Sequence, residues 1–177
     1  MKPKLLYVMP ECFVDTNLIE YLLDSSVNHQ HCCSKVVGTM KEKFADEFAI
    51  GIIDRDKVKM GYLKECDMLA QKGHLTIYKH KTLPHYLITI APAIDKFVLD
   101  CAREQRVSVE NYDLPSNLKA FTKETKQVVS NKDKRFKALF SAIEQHGEMV
   151  ALRKMLEYLN STRYDVDLVA LKSLFCS

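Results

Sequence analysis

The stretch that decides the fold is Phe48-Ala-Ile-Gly-Ile-Ile-Asp54-Arg-Asp56. It begins with a short, unbroken apolar run rich in isoleucine, which is typical of a strand buried on both faces in a parallel sheet. Two aspartates follow at its C-terminal end. A second apolar run, Leu5 to Met9, lies between two prolines and leads into Glu11. We therefore predict two buried strands of an α/β domain, each ending at a carboxylate.

The rest of the chain divides into an alternating part and a helical part. Up to Ile90, apolar residues switch between strand and helix spacing. The elements predicted there are helices over 15–23, 35–45 and 58–71, a brief strand over 28–33, and strands over 75–79 and 86–90. From Pro92 onward the spacing predicts helices, the later ones over 118–129, 135–145, 149–159 and 166–175. We predict an α/β domain over residues 1–114, with a mostly parallel sheet flanked by helices, followed by an α-helical C-terminal region over 115–177 packed on it.

Length and composition exclude several classes of protein. The 177 residues are 47% hydrophobic, which supplies a real core and argues against a disordered or fibrous chain. The net charge of +3 is too small for a wholesale polycation, although residues 1–114 carry net −1 and residues 115–177 carry net +4. Six dispersed cysteines, short apolar runs and the lack of a signal-peptide pattern predict a cytoplasmic protein with reduced thiols and no membrane association.

The strongest chemical signal is the set of carboxylates at the predicted strand ends. Glu11 ends one strand, and Asp54 and Asp56 end another. Ligands of open α/β sheets bind outside the carboxyl ends of the strands, so these groups meet in one crevice if the strands are neighbours. Crowded carboxylates repel one another unless a cation lies among them, and Mg²⁺ prefers oxygen ligands. Asp15, one helical turn beyond Glu11, is a further candidate ligand; the simpler interpretation is that such acids cap helices or face solvent.

Three stretches resemble the motifs of one known family. Leu5-Leu-Tyr-Val-Met-Pro-Glu11-Cys-Phe-Val-Asp15 is similar to the first TOPRIM motif, an apolar strand that ends in Glu. Phe48-Ala-Ile-Gly-Ile-Ile-Asp54-Arg-Asp56-Lys57 is similar to the second, a strand that ends in Asp-x-Asp. The stretch from Tyr86 to Leu99 resembles a segment of OLD-like and related bacterial TOPRIM proteins, in which Asp95 takes the position of a later acid. The resemblance covers roughly residues 4 to 100, about half of the chain.

The TOPRIM resemblance implies a Rossmann-like domain that cuts or joins nucleic-acid phosphodiesters with Mg²⁺ or Mn²⁺. It implies that Glu11 acts as a base or metal ligand, that Asp54 and Asp56 hold metal, and that Lys57 neutralises charge developing on phosphate. The implied metal ligands are Glu11, Asp15, Asp54, Asp56 and Asp95. DNA is the expected substrate before RNA, a partner ATPase or other protein subunit is expected, and phage defence or a mobile element is the expected setting.

Two alternatives stay open on the same residues. Cys12 stands where the family has glycine, which favours a catalytically degenerate TOPRIM-like module that binds a protein partner or nucleic acid. Separately, Cys12-Phe-Val-Asp15-Thr-Asn17 resembles the opening of PIN-domain ribonucleases, which implies that Asp15 is the first metal ligand and that further acids come from well downstream. The TOPRIM interpretation ranks first because the PIN interpretation leaves the first strand unexplained. Both metal-dependent families act on phosphodiesters.

Two further clusters carry weaker signals. His29-Gln-His31-Cys32-Cys33 contains zinc-ligand residue types, but adjacent ligands pack poorly around one tetrahedral ion, so we interpret it as a short strand with ordinary cysteines. Seven cations lie between positions 119 and 137: Lys119, Lys123, Lys126, Lys132, Lys134, Arg135 and Lys137. They suit a nucleic-acid backbone or a solvated helix face, of which the solvated face is the simpler interpretation.

Overall fold

The computed structural model describes residues 2–57 and 60–175, apart from the side chains of Lys57 and Met60. The strands are β1 (Lys4–Leu5), β2 (Val8–Pro10), β3 (Ser26–Val27), β4 (Ala49–Asp54), β5 (Cys66–Lys72), β6 (Leu75–His80) and β7 (His85–Ile90). The α-helices are α1 (Phe13–Leu23), α2 (Cys33–Lys43), α3 (Met60–Leu63), α4 (Ile94–Glu104), α5 (Leu118–Thr125), α6 (Lys134–Ile143), α7 (Gly147–Thr162) and α8 (Leu168–Ser173). The predicted α/β class is confirmed.

The main sheet has five strands in the order β2-β4-β7-β6-β5. The first three strands are parallel, β6 is antiparallel to β7, and the edge strand β5 is antiparallel to β6, so the sheet is mixed rather than mostly parallel. β1 and β3 form a separate parallel pair, and the loop after β3 continues alongside β2, where the Asn28 N–H donates to the Val8 carbonyl at 2.9 Å. β4 therefore lies between parallel neighbours, as its unbroken apolar sequence predicts.

Both faces of β4 are covered, because alternate side chains of a strand point to opposite sides. Ile50 and Ile52 belong to the larger core, to which α1, α4, α5 and the later helices also contribute. Ala49 and Ile53 belong to a smaller core on the opposite face, under α2. The C-terminal helices thus share one apolar core with the sheet, and the division at residues 114 and 115 stays a prediction.

The helix predicted over 58–71 is wrong for most of its length. Residues 58–59 lie outside the described residues, α3 spans only Met60–Leu63, and Cys66–Lys72 forms β5, the edge strand of the sheet. The misleading signal is Gly73, which resembles a helix C-cap in the sequence. Its φ of +53° instead serves the tight turn between β5 and β6, and a left-handed glycine suits both structures.

The brief strand predicted over 28–33 is also wrong. The strand that pairs with β1 is β3, which lies earlier in the chain at Ser26–Val27, and α2 already begins at Cys33. Residues 28–32 form a loop at the carboxyl edge of the sheet. This placement puts His29 and His31 beside the first turn of α1, where the Phe13 ring stacks on His29 with centroids 4.6 Å apart.

Gly51 sets how closely α2 approaches β4. A Cβ at this position would lie 2.8 Å from Val36 Cγ1, Met40 Sδ and Leu87 Cδ1. We expect Gly51→Ala to lower the free energy of unfolding by about 1–3 kcal/mol through overpacking. The control is Gly38→Ala in α2, where an added Cβ meets nothing within 4 Å. This substitution should raise the free energy of unfolding by up to about 1 kcal/mol. Urea denaturation measures both, and equal effects would contradict the close packing.

Candidate functional site

Glu11 and Asp54 lie at the ends of neighbouring parallel strands. The Glu11 N–H donates to the Ile52 carbonyl at 3.0 Å, which continues the β2–β4 ladder by one residue. The Asp54 N–H in turn donates to Glu11 Oε2 at 3.2 Å. Both side chains are only 3% exposed. The parallel register therefore brings two buried carboxyl groups together at one edge of the sheet.

Asp15 adds a third carboxyl group from the first turn of α1. Its Oδ2 accepts the Cys12 N–H at 3.1 Å, and its Oδ1 is buried with no hydrogen-bond partner. Burial raises the pKa of Asp15 to about 8, and the negative charges of Asp54 and Glu11 act in the same direction. We call Glu11, Asp15 and Asp54 the carboxylate cluster.

The start of α4 closes the site from the other side. The Ile94 N–H, at the first residue of α4, donates to Asp54 Oδ1 at 3.0 Å. The Asp56 N–H donates to the Pro92 carbonyl at 3.3 Å, which holds the turn after β4 against the turn before α4. Asp54, exposed Asp56 and the largely buried Asp95 line one cavity of about 290 Å³, which we call the site cavity. The five acids predicted as metal ligands thus lie around one edge of the sheet.

Lys57 and Cys12 are the other two positions of the TOPRIM resemblance, and the structure bears on them differently. The Lys57 backbone belongs to a single 3₁₀ turn over Arg55–Lys57, while its side chain lies outside what the structure describes, so its predicted role remains a prediction. Cys12 has φ −117° and ψ 177°, an extended conformation open to any residue, so the backbone does not require glycine there. Burial and the neighbouring Asp15 raise the pKa of the Cys12 thiol, which keeps it protonated.

The fit of a metal ion can be judged from the donor atoms. Over residues 2–57 and 60–175, no three His, Cys, Asp or Glu side chains form a group arranged to hold a metal ion. The cluster nevertheless offers oxygen donors, including the unpartnered Asp15 Oδ1. Mg²⁺ is usually bound by one or two carboxylates together with water and substrate phosphate rather than by a full protein cage. The residues present fit Mg²⁺ bound in that open manner.

The loop between β3 and α2 places His29 near this site, a placement that the sequence did not predict. Thr16 Oγ1 donates to the Cys12 carbonyl at 2.8 Å, so at its 2.7 Å contact with His29 it accepts a proton from Nδ1. His29 Nε2 therefore carries a lone pair, and it is buried with no partner. Burial and the neighbouring His31 lower the pKa of His29, so the ring is neutral at pH 7.

The sequence also did not predict that α5 forms one wall of the site cavity. Leu118, Thr122, Thr125 and Lys126 line the cavity opposite the acids. Their spacing corresponds to one face of a helix, so the face itself could have been identified from the sequence. Its place beside Asp54 could not, because that depends on the packing of α5 against α4.

The neighbours of Asp15 bear on the PIN resemblance, which expects downstream acids around this residue. The acids that raise its pKa are Asp54 and Glu11. From the C-terminal half, Asp133 lies near α1 through its backbone, whose carbonyl accepts from Asn17 Nδ2 at 3.1 Å. The Asp133 carboxylate itself is bound by Arg135 at 2.8 Å.

Comparisons of the chain with protein-family models, with curated proteins and with solved structures found no match. Within the described part of the chain, no helix is both long enough and apolar enough to cross a membrane. The carboxylate cluster and the cavity above it are therefore the basis for a functional proposal.

Proposed function

We propose that this protein is a TOPRIM-like, Mg²⁺-dependent phosphodiesterase that acts on nucleic acid, either as a nuclease or as a nuclease subunit. The observation that carries the proposal is the carboxylate cluster, in which three buried acids from β2, α1 and β4 lie beside an open cavity. Carboxylates this close repel one another, which a bound cation would relieve, and the arrangement coincides with two of the sequence motifs. The same resemblance favours DNA over RNA and a partner ATPase or other subunit.

Each side chain has a role that follows from its contacts. Asp54, which lines the site cavity, is oriented by the Ile94 N–H, while Asp15 offers the unpartnered Oδ1. Glu11 is the candidate base or third ligand. When bound, Mg²⁺ supplies charge for the phosphoryl oxygens and acidifies a bound water. Binding releases the proton that Asp15 retains at pH 7, so affinity is expected to rise with pH.

A binding module without catalysis is the second candidate. It is favoured by the observation that no group of three ligands in the described residues is arranged to hold a metal ion. Cys12, in the position of the family's glycine, lines the site cavity and narrows it with a side chain. Such a module retains the fold and the cavity but binds a protein or nucleic acid without cleaving it.

The proposal predicts that a divalent cation both stabilises the protein and permits cleavage. Purified protein is incubated with plasmid and single-stranded DNA in Mg²⁺, Mn²⁺ or EDTA, and its thermal unfolding is followed in the same buffers. We expect cleavage with either cation and none in EDTA. A cation at ten times its Kd should raise the free energy of unfolding by about 1.4 kcal/mol. Stabilisation without cleavage would favour the binding module, and the absence of both would contradict the proposed function.

A further inference from the structure

Helix α5 forms a rigid wall of the site cavity. Phe121 on its inner face is fully buried in the core, and Thr125 is 2% exposed. The helix is capped by Asn117, whose side chain accepts the Ala120 N–H at 3.2 Å. Leu118 and Lys126, at opposite ends of the helix, both line the cavity that holds Asp54. The acids and α5 therefore face each other across one cavity.

One side of α5 carries three exposed lysines at helical spacing, Lys119, Lys123 and Lys126, of which Lys126 also lines the site cavity. In the part of the chain that the structure describes, no ion pair involves any of them. Arg135 on the following helix differs, because Asp133 and Glu124 each bind it at 2.8 Å. The three lysines, which we call the lysine stripe, present uncompensated positive charge over about 10 Å of helix length beside the site cavity.

The shape of the site limits which nucleic acid can reach the acids. Glu11, Asp15 and Asp54 are between 1% and 3% exposed, and the site cavity of about 290 Å³ has the size of a small-molecule pocket. A rigid duplex carries its phosphates on the outside of a wide, stiff cylinder, which makes it hard to lower one of them onto buried carboxylates. An unpaired strand is flexible enough to do so.

The surroundings of the cavity also suit an unpaired strand. A second cavity, of about 490 Å³, shares Lys96 and Leu118 with the site cavity, so the two adjoin; we call the pair of cavities the groove. Leu118 is 43% exposed at their junction, and Val128 and Val129 are 68% and 64% exposed just beyond the lysine stripe. Unpaired cations suit the phosphates of a single strand, and exposed aliphatic side chains offer apolar contact to its unstacked bases.

We infer that the lysine stripe holds the backbone of one unpaired nucleic-acid strand and guides it across the site cavity, so that the substrate class is single-stranded nucleic acid. This inference rests on the proposed function, since it concerns the substrate of the same site. Its support is independent of the acids' chemistry, because it comes from α5, the groove and the unpaired lysines.

The test is a binding measurement without cleavage. A labelled single strand of about 12 nucleotides and a duplex of the same sequence are titrated with the full chain in Ca²⁺ and in EDTA, at several salt concentrations. We expect tighter binding of the single strand. The triple substitution Lys119→Ala, Lys123→Ala, Lys126→Ala should weaken its binding at least about tenfold and reduce the slope of log K against log salt by about 2.

The matched control changes the charge equally at exposed lysines elsewhere, Lys35→Ala, Lys43→Ala and Lys154→Ala, and should shift the Kd less than about twofold. A second variant, Leu118→Glu, places a negative charge at the groove junction in the first turn of α5, where an acid suits the helix dipole. Val169→Glu in the first turn of α8 is its control.

The outcomes separate the inference from the proposed function. If the triple variant binds as the control does, or if the duplex binds more tightly than the single strand, the inference is overturned, whether or not the wild type cleaves DNA. If the stripe variants lose binding but the wild type cleaves nothing in Mg²⁺ or Mn²⁺, the inference holds and the proposed nuclease activity fails.

Discussion

Asp54→Asn is expected to reduce Mg²⁺-dependent cleavage by about 10²–10³-fold while leaving the protein folded. Asparagine retains an oxygen that can accept the Ile94 N–H, so the junction between β4 and α4 is preserved. The variant loses the negative charge that would hold a cation at the end of β4. It also removes the repulsion that Asp54 exerts on Asp15.

The measurement is a single-turnover cleavage rate together with a urea midpoint for each protein. Asp46→Asn, at an exposed position in the turn before β4, makes the same chemical change away from the site and should leave both quantities unchanged. Equal cleavage by the wild type and Asp54→Asn would remove Asp54 from the site. If Asp54→Asn cleaves slowly and its urea midpoint has also fallen, the loss of cleavage is explained by destabilisation of the fold instead.

The sequence predicted the parts of the site that depend on local pattern. β4 and β2 are short apolar runs, and a parallel sheet brings the residues at their carboxyl ends, Asp54 and Glu11, to one edge. Asp15 was also predicted, because it lies one helical turn beyond Glu11 and α1 begins directly after the strand. Local spacing and chain direction were enough for these three acids.

Other features depend on contacts between distant segments. The pairing of β5 with β6 depends on hydrogen bonds between two strands, and Gly73 resembles a helix end equally well in the sequence. Lys126, which lines the site cavity together with Asp54, lies more than seventy positions from it in the chain. His29 reaches the first turn of α1 through a loop whose shape no periodicity describes. Packing against other elements decides each of these placements.

Asp15 is expected to lower the stability of the protein progressively as the pH rises from about 4 to 8 in the absence of cations, and Asp15→Asn should remove that contribution. The pKa of Asp15 is about 8 in the folded protein and 3.8 in the unfolded chain. Above pH 4 the unfolded chain releases this proton while the folded protein retains it, so the unfolded state is favoured increasingly until the folded group also ionises. By pH 7 the loss is on the order of a few kcal/mol.

Urea denaturation in EDTA at pH 5 and at pH 7 measures this effect as a difference between wild type and Asp15→Asn. The comparison is needed because burial lowers the pKa of His29 and His85, and these groups make stability rise with pH below about 6.5 in both proteins. Asparagine keeps an oxygen for the Cys12 N–H. The variant's advantage should be larger at pH 7 than at pH 5, and an advantage independent of pH would contradict the raised pKa.

The same substitution distinguishes a functional acid from a structural one. A carboxylate kept only for folding should not destabilise the protein at the pH where it works, whereas a cation ligand is expected to do so until the cation binds. Mg²⁺ at pH 8 should therefore stabilise the wild type more than Asp15→Asn, and the more stable variant should cleave more slowly. If both proteins respond equally to Mg²⁺, Asp15 is not a ligand, and its buried Oδ1 has a structural role only.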